Sequence, residues 1–222
     1  KALLDYTGKR LSCCISIKKR IPVGGGLGGG SSNAATVLLG LNSLWKLKLS
    51  KKELMKIGSK IGADVSFFML NERFASASGI GENLKPIKAS KPIWHVLAAP
   101  NKGLVTRQIY ALWDRLYATE NSLTAARRDV KILSQSILKN DLALLGANLY
   151  NDLQQPAEYK YNNIVRIKEL LKACKAKGAM MSGSGCVVFG IATSRKEAQT
   201  IRRRFLRHKA KDNLRIFVAK TY

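Results

Sequence analysis

A glycine-rich segment near the N-terminus has the composition of a phosphate-binding loop. Six of the seven residues from Gly24 to Gly30 are glycine, and an amphipathic pattern begins directly afterwards at Ser31. Because glycine has no Cβ, its backbone N–H groups can turn towards an anion and approach it closely. The start of a helix would add unpaired N–H donors and the positive end of its dipole. Residues 24–30, the first glycine loop, therefore predict a phosphate site rather than a flexible linker.

The hydroxyls of Ser31 and Ser32 could cap the helix, contact phosphate oxygens or help to hold Mg²⁺. Two other phosphate loops do not match. The segment has no Gly-Lys-Ser/Thr, which excludes a Walker A loop. Gly24, Gly26 and Gly29 match GxGxxG, but a second helix is predicted where a dinucleotide fold has its next parallel strand.

A carboxylate at a glycine-bounded corner, Asp64, is the candidate for acid-base chemistry. It follows Gly62 and Ala63 and precedes an apolar run. An Asp can orient or deprotonate an alcohol during phosphoryl transfer. On spacing alone, an Asp that hydrogen-bonds to its local backbone is the simpler interpretation.

A second glycine motif, Ser182 to Gly185, lies between two predicted strands. Ser-Gly pairs suit the positive φ angles of tight turns, so the motif alone predicts a hairpin turn. Residues 182–185 are named the second glycine loop below.

The elements around these motifs alternate between helices and short strands. In the first half, we expect a strand at 11–17, helices at 31–45 and 51–62, and strands at 65–70, 74–78 and 93–98. Ser50 with Glu53 forms a capping box for the second helix, and residues 79–82 predict a hairpin turn.

In the second half, residues 106–150 predict helices, and Pro156 suits the start of a further helix to about Lys175. Strands at 179–181 and 186–191 flank the second glycine loop. A helix capped by Ser194 with Glu197 and a strand at 214–219 complete the chain. The class is α+β, with a domain change near residue 92.

The chain has 39 Lys+Arg against 14 Asp+Glu, a formal charge of +25. Such a charge raises nucleic-acid binding as a rival function. The basic residues are scattered, however, and no RNA- or DNA-binding motif accompanies them, so nucleic acid is not the expected partner. Four cysteines without CxxC spacing and the lack of a long apolar run favour a cytoplasmic protein without a membrane span.

Taken in order, three motifs resemble those of GHMP kinases. They are the loop from Pro22 to Asn33, Gly62-Ala63-Asp64-Val65, and Met181 to Cys186. The six glycines of the loop are similar to the subfamily that acts on a cytidine-diphosphate-linked methylerythritol. Ser66 departs from that subfamily, which has proline at the position.

The resemblance implies a ribosomal-protein-S5-like N-terminal domain, incomplete, at 1–92 and a ferredoxin-like C-terminal domain at 93–222. It implies ATP and Mg²⁺ as cofactors, Asp64 as the catalytic base, and Gly183, Ser184 and Gly185 as substrate-binding residues. The implied nucleotide-binding residues are Pro22, Gly24, Gly25, Gly26, Leu27, Gly28, Gly29, Gly30, Ser31, Ser32 and Asn33.

The implied reaction is phosphorylation of the 2-hydroxyl of the methylerythritol unit in non-mevalonate isoprenoid synthesis. The family's Pro-Ala-Lys and Gly-Tyr-His segments do not occur in this sequence. We therefore expect the chain to begin inside a longer protein and to be inactive alone. A homoserine or mevalonate kinase of the same fold, and a nucleic-acid-binding protein with an S5-like fold, remain alternatives.

Overall fold

The computed structural model describes residues 1–117, 130–208 and 213–222. The chain forms two compact units, each with its own hydrophobic core. The N-terminal unit comprises residues 1–20 and 28–88, and the C-terminal unit comprises residues 21–27 and 89–222. No helix within the described ranges combines the length and the apolar character that crossing a membrane requires.

The N-terminal unit is built around three helices: α1 (Ala2–Thr7), α2 (Gly29–Leu44) and α3 (Lys51–Ile61). The predicted capping box is confirmed, since Ser50 Oγ accepts a hydrogen bond from Glu53 N and the Glu53 carboxylate accepts one from Ser50 N. The predicted hairpin is also present, with β1 (Ala75–Ser78) antiparallel to β2 (Asn83–Pro86).

Two of the strand predictions for this unit, at 11–17 and at 65–70, are wrong. Residues 9–20 have no regular secondary structure, because no described strand pairs with them and an isolated strand leaves its backbone groups without ladder partners. Residues 65–70 contain a 3₁₀ turn, Phe67–Met69, instead of a strand. Val65, Ser66 and Met69 are buried, and this spacing of three to four residues suits a helical turn rather than a strand.

The C-terminal unit contains a four-stranded antiparallel sheet of β3 (Trp94–Pro100), β4 (Ala179–Met181), β5 (Val188–Ala192) and β6 (Leu214–Lys220). The strand order is β4-β5-β3-β6, so β4 and β6 are the edge strands. Val96 and Ala98 of β3 are fully buried on the face that packs against helices. The three later predicted strands are confirmed to within a few residues.

The helices of this unit include α8 (Asn163–Ala173) and α9 (Arg195–His208), which pack on the sheet. The single helix predicted from Pro156 to Lys175 is wrong, because non-helical backbone at Tyr161 divides it into α7 (Gln154–Lys160) and α8. The predicted helical region 106–150 includes residues 118–129, which lie outside the described residues. The remaining helices are α4 (Thr106–Tyr117), α5 (Val130–Lys139) and α6 (Leu142–Ala147).

Candidate active site

The part of the first glycine loop that belongs to the C-terminal unit, residues 24–27, has glycines that are packed too tightly to accept side chains. Gly24 and Gly26 have φ angles of 66° and 71°, a region that non-glycine residues rarely adopt. A Cβ on Gly26 would lie 1.9 Å from the carbonyl oxygen of Ser182, and one on Gly25 would lie 2.7 Å from Val187 Cγ2. The glycines at these positions are therefore required by the packing.

The second glycine loop is the segment that packs against Gly25 and Gly26. Ser182 Oγ donates a hydrogen bond to Gly26 O at 2.9 Å, and Val187 N donates to Gly25 O at 3.3 Å. Gly183 lies so close that an added Cβ would be 3.0 Å from Gly26 O. Two motifs far apart in the sequence thus form one bonded structure.

The second glycine loop is also internally bonded. Gly185 N donates to Ser182 O at 2.9 Å, which closes the turn. Ser184 is 8% exposed, and its hydroxyl shares a hydrogen bond of 2.8 Å with the hydroxyl of Thr106 at the start of α4. Sequence reasoning missed this partner, because no local pattern links residues so far apart.

In the N-terminal unit, α2 begins two residues earlier than predicted. Gly28 is the residue that precedes the helix, with a φ of 63°, and a Cβ there would lie 2.8 Å from the ring of Phe68. Ser31 and Ser32 consequently lie inside the first turn, and the expectation that they cap the helix is wrong.

The first turn of α2 retains the properties of an anion site. Helix geometry leaves the N–H groups of Gly29, Gly30 and Ser31 without carbonyl partners four residues earlier. The first such bond is made by Ser32 N to Gly28 O at 2.9 Å. No acidic residue occupies this turn, so nothing on the helix itself opposes an anion.

The other predicted nucleotide-binding residues have different surroundings. Pro22 and Leu27, in the C-terminal unit, are partly buried. Asn33 lies one turn into α2 and lines a cavity of about 740 Å³. Leu11, Ile15 and Ile17 line the same cavity within the N-terminal unit.

Asp64 occupies the predicted corner, a turn closed by the hydrogen bond from Val65 N to Gly62 O at 3.1 Å. Its side chain is exposed and makes no hydrogen bond or ion pair within the part of the chain that the structure describes. The simpler interpretation, a carboxylate that bonds to its local backbone, therefore has no support. The corner adjoins the first turn of α2, since a Cβ on Gly62 would lie 4.0 Å from Ser31 Oγ.

Two contacts support this corner. Ser66 is 2% exposed and donates a hydrogen bond to Met55 O of α3 at 2.9 Å. On the other side, Gly81 of the hairpin turn approaches Ala63, where an added Cβ would be 3.3 Å from the alanine Cβ. The serine at position 66 thus ties the corner to α3.

Cys186, next to the second glycine loop, is buried, and its thiol donates a hydrogen bond to Lys102 O. Burial raises its thiol pKa above the ordinary value. The thiol is therefore protonated at neutral pH and is not an activated nucleophile.

The described residues contain no group of three or more His, Cys, Asp or Glu side chains suited to a metal ion. A Mg²⁺ ion in kinases is bound largely by nucleotide phosphates, with one or two protein oxygens. The hydroxyls in the first turn of α2 and the free carboxylate of Asp64 fit that limited role.

Family models for the N terminal domain and the C terminal part of GHMP kinases match residues 1–72 and 133–211. A 4-diphosphocytidyl-2-C-methyl-D-erythritol kinase of a Geobacter species is 41% identical over 199 residues, 90% of this chain and 67% of that protein. The chain belongs to the GHMP kinase family. The enzyme of the same name from Geobacter metallireducens is 44% identical over 198 residues, 89% of this chain and 66% of that protein.

Two solved kinase structures are similar in fold to this chain. A crystal structure of 4-(cytidine 5'-diphospho)-2C-methyl-D-erythritol kinase matches with a TM-score of 0.71 and 30% identity, covering 91% of this chain and 68% of that chain. A homoserine kinase from Cytophaga hutchinsonii, 19% identical with a TM-score of 0.67, shares the fold over 92% of this chain and 68% of its own. The chain spans 67%, 66% and 58% of the length of three curated relatives.

Proposed function

We propose that the protein is an ATP-dependent kinase that phosphorylates the 2-hydroxyl of 4-diphosphocytidyl-2-C-methyl-D-erythritol. The observation that carries the nucleotide site is the hydrogen-bonded contact, within the C-terminal unit, between Gly26 of the first glycine loop and Ser182 of the second. The substrate follows from relatives of that name that are 41% and 44% identical over about nine-tenths of this chain.

The residues Pro22 to Asn33 would bind the nucleotide. Gly24 and Gly26 bring the backbone into a conformation that side chains disfavour, and the free N–H groups at the start of α2 are donors for phosphate oxygens. Gly183, Ser184 and Gly185 would bind substrate and would back the nucleotide loop at Gly26. The packing of Gly183 on Gly26 and the hydrogen bond between Ser184 and Thr106 support this role, because they fix the loop before a ligand arrives.

Asp64 would act on the substrate hydroxyl as the catalytic base. The carboxylate is exposed and makes no other bond among the described residues, so it is available to accept a proton. Mg²⁺, bound with help from Ser31 or Ser32, would neutralise charge on the phosphates. Positioning and charge neutralisation supply most of the rate enhancement in such transfers.

We further propose that the N-terminal domain at 1–92 is of the ribosomal-protein-S5 type and that the C-terminal domain at 93–222 is ferredoxin-like. An antiparallel sheet with α8 and α9 packed on it supports the second description. A cytoplasmic location fits the two exposed and two buried cysteines, all of which are free.

Calorimetric titration tests the proposed ligands. A non-hydrolysable ATP analogue with Mg²⁺ should bind to the protein, and 4-diphosphocytidyl-2-C-methyl-D-erythritol should bind to the resulting complex. Homoserine and mevalonate should give no heat. Binding of either of them in place of the cytidine-linked alcohol would contradict the proposed substrate.

A further inference from the structure

The edge strand β4 leads directly into the second glycine loop, and side-chain amides cover its outer edge. β4 pairs with β5 in antiparallel fashion, and Ser182 N donates a hydrogen bond to Val187 O at 2.9 Å. Because successive residues of an antiparallel strand direct their backbone groups to opposite sides, the N–H and C=O of the preceding Met181 point away from β5. Met181 N donates to Gln154 Oε1 at 3.1 Å, and Met181 O accepts from Asn151 Nδ2 at 2.9 Å. Two side chains thus take the place of a neighbouring strand.

Asn151 also makes a hydrogen bond to the second glycine loop, which Gln154 does not. Its Nδ2 also donates to Gly183 O at 2.8 Å, inside the second glycine loop. Its Oδ1 accepts a hydrogen bond from Leu153 N at 3.0 Å, which fixes the orientation of the amide. Both N–H donors of this amide and its oxygen are therefore bonded to backbone groups, which specifies one orientation of the side chain.

The neighbouring Gln154 is bonded to a different network. Its Nε2 donates to Glu158 Oε1 at 2.9 Å, and the same oxygen accepts from Lys168 Nζ at 3.0 Å. This network ends at Met181, and among the described residues it makes no hydrogen bond to the loop itself. Gln154 is therefore a matched control for Asn151: it binds the same strand, but only Asn151 binds the loop.

We propose that Asn151 is a positioning residue that holds the second glycine loop in the geometry required for nucleotide binding. The inference rests on the proposed function, since the loop must contact the nucleotide site through Gly26. The connection is direct: Asn151 fixes Gly183 O, and Gly183 itself and the preceding Ser182 both contact Gly26. Without the amide donors, Gly183 O and Met181 O lose partners and the loop can shift away from Gly26.

The test compares Asn151→Asp with Gln154→Met. Asn151→Asp keeps the shape and the acceptor for Leu153 N, but it replaces the donor with an oxygen that faces two carbonyl oxygens. Gln154→Met keeps the length of the side chain and removes the bonds to Met181 N and Glu158 Oε1, neither of which reaches the second glycine loop. Thermal unfolding and the Kd of a non-hydrolysable ATP analogue are measured for both variants and for the wild type.

Asn151→Asp should weaken nucleotide binding at least about tenfold, the equivalent of one or two lost hydrogen bonds. Gln154→Met should lower the unfolding temperature with less than about a twofold change in Kd. Combining Asn151→Asp with Ser182→Ala should weaken binding by less than the product of the two single effects, because both act through one loop.

The outcomes separate this inference from the proposed function. If the wild type binds no nucleotide, the proposed function fails and the inference fails with it. If the wild type binds nucleotide, and both variants unfold at a lower temperature without a change in nucleotide Kd, Asn151 has only a structural role. The inference alone is then overturned. If Asn151→Asp weakens binding of the alcohol substrate but not of the nucleotide, the loop serves the alcohol instead, and the proposed role of Asn151 in nucleotide binding is wrong.

Discussion

The hydroxyl of Ser182 donates a hydrogen bond to the carbonyl oxygen of Gly26 at 2.9 Å, across 156 positions of the sequence. A Cβ on Gly26 would meet the Ser182 carbonyl at 1.9 Å. The two glycine loops are therefore joined by a contact that requires a glycine on one side. The folding of the C-terminal unit and the shape of the proposed nucleotide site depend on the same pair of residues.

Gly26→Ala should both destabilise the C-terminal unit and weaken nucleotide binding. The positive φ alone disfavours alanine by about 1–2 kcal/mol, and the clash with Ser182 must move one loop away from the other. Urea unfolding and titration with an ATP analogue measure the two effects. Gly40→Ala is the control, because a Cβ at this helical position meets nothing within 4 Å and should raise helix stability by about 1 kcal/mol. Equal behaviour of the two variants would contradict the tight contact.

A negative charge at the start of α2 should change stability and nucleotide affinity in opposite directions. Gly30 has open space around its Cβ position, and an acidic side chain in the first turn stabilises a helix by about 0.3–1 kcal/mol. Gly30→Asp should therefore unfold at a higher temperature than Gly30→Asn while binding ATP about tenfold more weakly through repulsion of the phosphates. The difference in affinity should shrink as salt is added. Similar affinity of the two variants at low salt would argue against phosphates at this helix end.

Asp64→Asn should reduce turnover by a factor of about 10² to 10⁴, the usual contribution of general acid-base catalysis. The Kd of the ATP analogue should change little, because the carboxylate acts on the alcohol. Asp5→Asn, another exposed carboxylate of the N-terminal unit, should keep normal turnover. If Asp64→Asn also keeps it, Asp64 is a corner residue without a catalytic role.

The stability of the C-terminal unit should fall between pH 6.5 and pH 4. Burial lowers the pKa of His95 from 6.5 to about 4. The unfolded chain therefore binds a proton in this window that the folded chain does not, so this contribution is complete above pH 6.5 and is lost as the pH falls. The loss is at most about 3 kcal/mol, and the partial exposure of the ring reduces it. Urea unfolding at several pH values should give a flatter profile for His95→Gln. An identical slope in the variant would assign the pH dependence to other groups.

Local signals predicted the elements that position the candidate site. The capping box at Ser50 fixed the start of α3, and the turn residues after Ser78 predicted the hairpin. These predictions succeeded because the hydrogen bonds concerned join residues three to five positions apart. The alternation of apolar residues at 11–17 was also a real pattern, since Leu11, Ile15 and Ile17 line the apolar cavity beside α2. A strand further requires a backbone partner, which alternation alone does not reveal.

The sequence pattern does not indicate which residues far apart in the chain are in contact. No local pattern identifies the acceptors of the Asn151 amide, because they lie 30 and 32 positions away. Ser66 departs from the family's proline, but its hydrogen bond to Met55 depends on how α3 packs. In both cases a short polar side chain binds a backbone carbonyl, and only the fold specifies which one.

The proposed kinase activity is tested most directly by phosphoryl transfer from ATP, measured on the protein as its source produces it. Mevalonate, homoserine and 4-diphosphocytidyl-2-C-methyl-D-erythritol are offered together, and the products are identified by mass spectrometry and phosphorus NMR. We expect transfer to the cytidine-linked alcohol alone, at its 2-hydroxyl, and loss of that transfer in Asp64→Asn. Transfer to mevalonate or homoserine in preference, or transfer at an unchanged rate in Asp64→Asn, would contradict it.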